Sequence, residues 1–380
     1  MATLTTITIR DIAAACHAST ASVSRALNGK PGVSDGLKAT IIAYASAHGY
    51  VPDSNARSMR LGQSTHIYLI NRVENTDSSG IPVEWFAKFH AVSGLNVDTY
   101  PIPYSRDLVD GLIELERARH PAMFLLVGPC GVEDESRFSQ IQTPMMFVLS
   151  DDAPAQRPSV ESDDTEGAMA ITNSLLEAGH RNIMVLTDRR SDGQPYYQQR
   201  IEGFKRALAG AGIPFDPASV YALPIDFGRY LESSTTAINR HLIPLLTSSS
   251  MPSRPTAFVI LNDFLAFTCT KALSDAGIRI PDQLSVVSFG GWSITGYLPA
   301  SIQTWVQPVQ GIIQAVATAV RLTLSGKPFS GTLELGTPEP GKPACSAVAI
   351  SPTQLVVHGY LRKGQSIRQL TAREHQGQRV

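Results

Sequence analysis

Between residues 67 and 289, short apolar runs alternate with stretches of helical periodicity. That alternation restricts most of the chain to parallel sheet with helices on both faces. Expected strands are 67–70, 123–127, 146–149, 183–186, 257–260 and 284–289, and expected helices include 166–178, 200–211 and 264–276. Gly179-His180, Gly212 and Gly277 stand where these three helices must stop. With 380 residues and 43% apolar content, the chain supports two or three domains and a sizeable core.

The first fifty residues follow a different pattern. The segment ITIRDIAAACHASTASVSRALN, residues 7–28, reads as two short helices joined by a tight turn. Thr8 is placed to cap the first helix and Ser19 the second, and Asn28-Gly29 stops the second. Val23 and Leu27, at i and i+4, form the expected buried face of the second helix, opposite Thr20, Ala21, Ser24 and Arg25. Alanines 13 to 15 allow close approach, and a third helix over 34–48 offers Leu37, Ile41 and Ala45 to the same small core. A ligand-free three-helix bundle and a DNA-reading helix-turn-helix both fit this pattern. Charge favours the second. Residues 1–63 hold six lysines and arginines against three aspartates, a net +3, while the whole chain carries −1. Residues 50–62 include Ser54-Asn55-Ala56-Arg57-Ser58-Met59-Arg60, too short and polar for a helix stable alone and suited to ordering on DNA.

Catalytic signatures are missing. The sequence has no GxGxxG, Walker lysine, HExxH or nucleophile elbow, and no clustered His/Cys set, so neither an enzyme nor a cofactor or metal is expected. His90, His120, His180 and His241 read as unremarkable surface or loop residues. Cys16, Cys130, Cys269 and Cys345 lack metal-like or disulfide-like spacing and read as buried thiols in a reducing compartment. No apolar run resembles a signal peptide or a membrane span, so a cytoplasmic protein without membrane partners is expected.

Longer motifs make the comparison specific: VESDDTEG (160–167), EAGHRNI (177–183), RIEGFKRAL (200–208), VILNDFLA (259–266), RIPDQLSVVSF (279–289) and VQP (306–308). Together with the helix-turn-helix they resemble the lactose-repressor family of bacterial regulators, from about residue 8 to 361. The resemblance implies a small all-α head, residues 1–49, and a hinge helix with linker, 50–62. It further implies a two-lobed α/β body with parallel sheets, similar to periplasmic sugar-binding proteins. Its lobes are expected over 63–162 with 292–330 and over 163–291 with 331–361, crossing near Asp163, Gly291 and Gly331, before a polar tail at 362–380. The implied protein is a homodimeric repressor of a palindromic double-stranded DNA operator.

By the same resemblance, Thr20 and Ala21 lead the base-reading positions and Arg25 meets a base or a phosphate. Ser19, Ser22, Ser24 and Asn28 lie near phosphates, which position rather than specify. In the hinge, Asn55 and Ala56 lie at the groove, and Met59 stands where an intercalating leucine is usual. Methionine is apolar and adaptable enough to act as the wedge. In the cleft, Arg200 matches a ligand-binding arginine, with an inter-helix salt bridge as the alternative. Asn262 matches a cleft asparagine, with a helix cap as the alternative. Asp151 and Phe227 fall near a polar contact and an aromatic platform.

Two departures bear on the ligand. Where sugar-responsive relatives carry Phe/Tyr-Asp-Asp, this chain has Phe289-Gly290-Gly291-Trp292, so an acceptor carboxylate is gone and Trp292 offers stacking. The expected effector is therefore a sugar acid, a phosphorylated sugar or another polar metabolite, with an aromatic ligand or no small ligand at all as alternatives. The last would make the chain an effector-independent or protein-regulated DNA binder, and a head that docks a protein instead would make it an interaction module. The first lobe has Asn71-Arg72 after its first strand, and Trp85 and Phe86 suit the cleft, the core or the dimer interface equally. Residues 356–360 read as a final strand, and 336–343 as a Pro/Gly-rich loop.

Overall fold

The computed structural model describes residues 9–27, 31–47, 66–73, 89, 93–128, 130, 135–150, 153–154, 156–189, 195–226, 229–248, 254–335 and 345–371. The chain divides into two compact units, Met1–Thr65 and His66–Val380.

The first unit holds helices α1 (Ile9–Ala15), α2 (Thr20–Leu27) and α3 (Asp35–Ala47). α1 ends in a Schellman turn: His17 is left-handed at φ 50°, and Ala18 N donates to Ala13 O while His17 N donates to Ala14 O. Ser19 then opens α2 as its cap, accepting from Ser22 N at 3.0 Å. Ile12, Val23, Ala26, Ile41 and Ala45 form the core. The inward pair of α2 is thus Val23 and Ala26, with Leu27 only half-buried, because a small residue at the inner position brings the helices close. For the same reason Ala13 faces inward, while Ala14 and Ala15 are exposed. Thr8, the Asn28-Gly29 stop and the hinge segment 50–62 lie outside the described residues.

The second unit contains two sheets. Strands β1 (Ile67–Val73), β2 (Val97–Pro103), β3 (Met123–Val127), β4 (Met145–Val148) and β5 (Ser159–Ser162) belong to the first, with helix α4 (Leu108–Arg119) on one face. After α5 (Asp164–Glu177) come β6 (Ile183–Asp188), α6 (Pro195–Gly210), β7 (Val220–Leu223) and α7 (Tyr230–Ala237). A π turn, Ile238–Leu242, leads into α8 (Ile243–Thr247), followed by β8 (Ala257–Ile260), α9 (Asp263–Asp275), β9 (Ser285–Gly290) and β10 (Gln303–Val306). The chain ends with α10 (Val309–Leu324), β11 (Thr332–Glu334), β12 (Ser346–Ser351), β13 (Gln354–Val357) and β14 (Tyr360–Arg362). The sheet orders are β11-β12-β13-β5-β4-β3-β1-β2 and β14-β10-β9-β8-β6-β7. Pairing is parallel except at β11–β12, β12–β13 and β10–β14.

The central strands are buried on both faces, which is why β3, β4 and β8 read as continuous apolar runs. Leu69, Leu125 and Val160 meet Ile312, Val316 and Val320 of α10, whereas Ile70, Phe124 and Phe147 meet Val109, Leu112 and Leu115 of α4. In the second sheet Val185, Val259 and Val287 face Ile171 of α5 and Phe204 of α6. On its other side Leu186, Ile260 and Val286 face Ile238, Leu265 and Leu273. α5 and α6 pack closely enough that a Cβ at Gly203 would lie 2.3 Å from Thr165 O. Gly179, Gly212 and Gly277 all have positive φ and end their helices as expected.

The lobe boundaries differ from expectation at two of the three crossings. The first is at Ser162–Asp163, as read. The second is at Gln307 and the third at His358, not at Gly291 and Gly331, because β10 hydrogen-bonds to β9 in the second sheet while β11–β13 extend the first. The lobes are accordingly 66–162 with 309–357, and 163–306 with 358–371. The run 356–360 is not one strand. It breaks at Gly359, where any Cβ would meet Trp305 Nε1 at 2.4 Å, and its halves join different sheets. The start of the expected polar tail is docked: Ser366 Oγ donates to Val286 O, and Leu370 N donates to Ala178 O at 2.9 Å. His180 is fully buried, bonded to Thr256 Oγ1 and Arg368 O, rather than a surface residue. All four cysteines are buried thiols outside any disulfide. Among the described residues no helix is long and apolar enough to cross a membrane.

All three crossings join the C-terminal edges of the two sheets. β5 leads into the N-terminus of α5, β10 into that of α10, and β13 into the antiparallel β14. These edges therefore confront one another across a cleft, the usual binding position in open α/β sheets.

Candidate functional site

α2 leaves Thr20, Ala21 and Arg25 exposed, with Ser22 and Ser24 half-buried beside them. Ser19 Oγ lies 2.9 Å from Ser22 Oγ in addition to capping the helix, so these two hydroxyls hold each other in place at the helix start. The arginine stem passes Gly32, whose missing Cβ would lie 3.8 Å from Arg25 Cδ. The face is thus a short polar ridge ending in one cation, set on a rigid cap. Asn28, Asn55, Ala56 and Met59 lie outside the described residues.

In the cleft, Arg200 of α6 donates from Nε to Asp164 Oδ2 at 2.8 Å and from Nη1 to Leu261 O at 2.7 Å. Its guanidinium stacks 4.0 Å from the Phe289 ring centroid and 5.0 Å from that of Tyr196. The inter-helix salt bridge is therefore present, and it occupies two of the five guanidinium N–H groups. Asp164 is shared further. Its Oδ1 accepts from Ser162 Oγ at 2.6 Å and from Gln307 Nε2 at 3.1 Å, and Gln307 also donates to Ser162 Oγ at 2.7 Å. One hydrogen-bonded set thus ties the first crossing, the second crossing and the cleft arginine. At the third crossing, His358 Nδ1 lies 3.1 Å from Glu166 Oε2 and 3.8 Å from Asp163 Oδ2. Asp164 lies within VESDDTEG, but its partners are 36 and 143 residues away, beyond the reach of local pattern.

Asn262 caps α9, accepting from Phe264 N at 2.7 Å and Leu265 N at 3.3 Å. Beside it Asp263 is almost fully buried. Ser288 Oγ and Thr304 Oγ1 donate to its Oδ1, and Trp292 N donates to its Oδ2 at 2.6 Å. Burial pushes the Asp263 carboxyl above the ordinary aspartate range, against the pull of these donors and of Arg362. This residue, missed by sequence reasoning, fixes the backbone after β9.

The Gly290-Gly291 departure has a local cause. Both residues have positive φ, 136° and 84°. A Cβ at Gly290 would lie 2.9 Å from Trp292 Cδ1 and 3.2 Å from Asp263 Oδ2; at Gly291 it would lie 2.7 Å from Val306 Cα. Trp292 itself stands edge-on to Phe264, centroids 4.4 Å apart, and Phe264 stands 6.4 Å from Tyr230. The second lobe therefore brings an aromatic row to the cleft edge. Asp151, Phe227, Trp85 and Phe86 lie outside the described residues.

Comparison with known proteins agrees with both units. The family "Bacterial regulatory proteins, lacI family" matches residues 8–53, and "Periplasmic binding protein-like domain" matches residues 172–340. A ribose operon repressor of Haemophilus influenzae is 26% identical over 315 residues, covering 79% of this chain and 87% of its own length. A probable HTH-type transcriptional repressor ExuR of Bacillus subtilis is 26% identical over 314 residues, covering 80% and 88%. The solved lac repressor dimer bound to operator and the anti-inducer ONPF shares the fold at TM-score 0.69 and 18% identity, over 95% of this chain and 99% of that one. The chain belongs to the LacI family of transcriptional regulators, non-catalytic proteins that join a helix-turn-helix head to a two-lobed sensor, bind operator DNA and respond to small molecules.

Proposed function

We propose that this protein is a dimeric repressor of a palindromic operator whose affinity is set by a polar metabolite held between the lobes. The observation that carries the DNA-binding half is the exposed face of α2, where Thr20, Ala21 and Arg25 stand clear of the head's own core. Thr20 and Ala21 meet bases, Arg25 reads a guanine edge or holds a phosphate, and Ser19, Ser22, Ser24 and Asn28 position the helix on the backbone. Asn55, Ala56 and Met59 supply the hinge contacts in the minor groove.

The sensing half is supported by the network Arg200–Asp164–Gln307–Ser162, which joins a cleft side chain to two of the three crossings. Arg200 meets the effector with the donors its two internal bonds do not use. Asn262, Trp292, Asp151 and Phe227 complete the pocket, Asn262 with its amide and Trp292 by stacking. An effector acts only through its different affinity for the two lobe arrangements. Operator gel shifts with the full chain, with and without sugar acids, sugar phosphates and neutral sugars, test the reading. A ligand that changes operator affinity and loses its effect in Arg200→Ala supports it; operator binding indifferent to every such ligand counts against the sensing half.

A further inference from the structure

The first lobe carries an unanswered positive charge at its edge of the cleft. Asn71 and Arg72 lie near the C-terminal end of β1, which closes at Val73, two strands from β4 and clear of the crossings at β5 and β13. Asn71 is 4% exposed. Its Nδ2, and Nε and Nη1 of Arg72, are buried without a hydrogen-bond partner. The remaining Arg72 nitrogen, Nη2, reaches Tyr104 O at 3.4 Å, and the guanidinium lies 4.9 Å from the Tyr104 ring centroid. Asp107 and Cys130 act on Arg72 through space. The Asp107 carboxylate is already engaged by Arg137 Nη1 at 2.7 Å and by Asp110 N at 2.9 Å. Burial is the largest influence on Arg72 and pulls it below the ordinary guanidinium range, yet an arginine remains charged at any physiological pH.

Buried donors without acceptors are costly, the more so on a charged group, and native proteins leave them for a ligand, an ion or water. Three such nitrogens on adjacent residues select an acceptor-rich group, and the charge selects an anion. Adjacent strand residues leave on opposite faces, so a group touching both has to reach round the C-terminal edge of the sheet, the edge that faces the cleft. On the opposing lobe Asp164 is engaged by Arg200, and Asp263 by Ser288, Thr304 and Trp292 N, while Asp188 at the end of β6 is buried beside Tyr230. Gly290 and Gly291 add no carboxylate there to repel an anion.

We propose that Arg72 anchors the carboxylate or phosphate of an acidic effector, with Asn71 donating to a neighbouring oxygen. The inference rests on the cleft being the effector site and names the ligand class that the first lobe selects.

The test uses full-length protein in zwitterionic buffer, melted with increasing inorganic phosphate, glucuronate, glucose 6-phosphate or glucose. Wild type, Arg72→Gln, Arg72→Lys and Arg200→Ala are compared. Phosphate should raise the wild-type melting temperature saturably, and Arg72→Gln should weaken its apparent affinity by about tenfold or more. Arg72→Lys should fall between, keeping the charge and losing the fork. Without ligand, Arg72→Gln should melt no lower than wild type, because it removes a buried charge that lacks a counter-ion. Tighter binding of glucuronate or of glucose 6-phosphate, each against glucose, then separates carboxylate from phosphate. No saturable wild-type response overturns the proposal, and so does an equal response in Arg72→Gln, which would mark an adventitious ion only. A lower ligand-free melting temperature in Arg72→Gln would make the arginine structural and equally overturn it. Failure of the cleft reading looks different: phosphate binding depends on Arg72, but no anion alters operator affinity and Arg200→Ala binds glucuronate and glucose 6-phosphate as wild type does.

Discussion

Arg25 and Asp263 illustrate how differently two charged residues behave in this molecule. Arg25 is exposed on α2, so its contribution is realised only against DNA. If it reads a base, Arg25→Ala loses about 1–3 kcal/mol of discrimination at one operator position. Binding measured on single-base operator variants should show that loss concentrated there, and a uniform loss over all sequences would make it a phosphate contact. Asp263 is buried, and burial raises its carboxyl above the unfolded value. Below about pH 4, the unfolded aspartate pKa, folded and unfolded states bind the proton alike and its contribution is fully present. As pH rises towards the folded value the folded state holds more proton than the unfolded, so stability falls. Asp263→Asn should flatten that fall, read as the wild-type minus variant difference in unfolding free energy against pH. A difference that instead grows in wild type's favour with pH would contradict the assignment. At this scale the sequence was only partly legible. Asn262 and Arg200 were recognisable by motif, and the cap of Asn262 is local, but the partners of Arg200 lie 36 and 61 residues away and only the fold supplies them.

Elements were the most legible scale, for a physical reason. β3 and β8 fall where their apolar runs lie, since a strand buried on both faces must be apolar throughout. Helix ends were legible from glycine, because Gly179, Gly212 and Gly277 supply the positive φ of the terminating turn. The second and third crossings were not, since β10 and β13 are equally apolar whichever sheet receives them. At the third crossing Gly359 lets the chain pass Trp305, where a Cβ would lie 2.4 Å from Nε1. A similar close approach sets the α5–α6 contact. Gly203→Ala would force a Cβ to 2.3 Å from Thr165 O and 2.8 Å from Ala168 Cβ. Overpacking of this kind costs about 1–3 kcal/mol and occasionally more. Urea unfolding should show at least that loss; an unchanged midpoint would mean that the helices separate without penalty.

At the scale of the whole molecule, the three crossings decide how the lobes can respond. Ser162, Asp164 and Gln307 share hydrogen bonds across two crossings, and His358 sits beside Glu166 at the third. A change in lobe arrangement must rearrange these contacts. Gln307→Leu keeps the volume and removes the donors, so it should alter the ligand's effect on operator affinity by about 0.5–2 kcal/mol while leaving the head intact. Gel shifts with and without ligand give that coupling directly, and an unchanged ratio would place the coupling elsewhere. The central claim, sequence-specific operator recognition by a symmetric pair of heads, has a more direct test. Full-length protein is used to select binding sites from random duplex DNA, and affinity for the selected site is measured between 50 and 200 mM salt. The account predicts enrichment of a palindrome, weaker binding when one half-site is scrambled, and a steep fall in affinity with salt as phosphate contacts are screened. Failure to enrich any site over random duplex, or an affinity indifferent to salt, would contradict it.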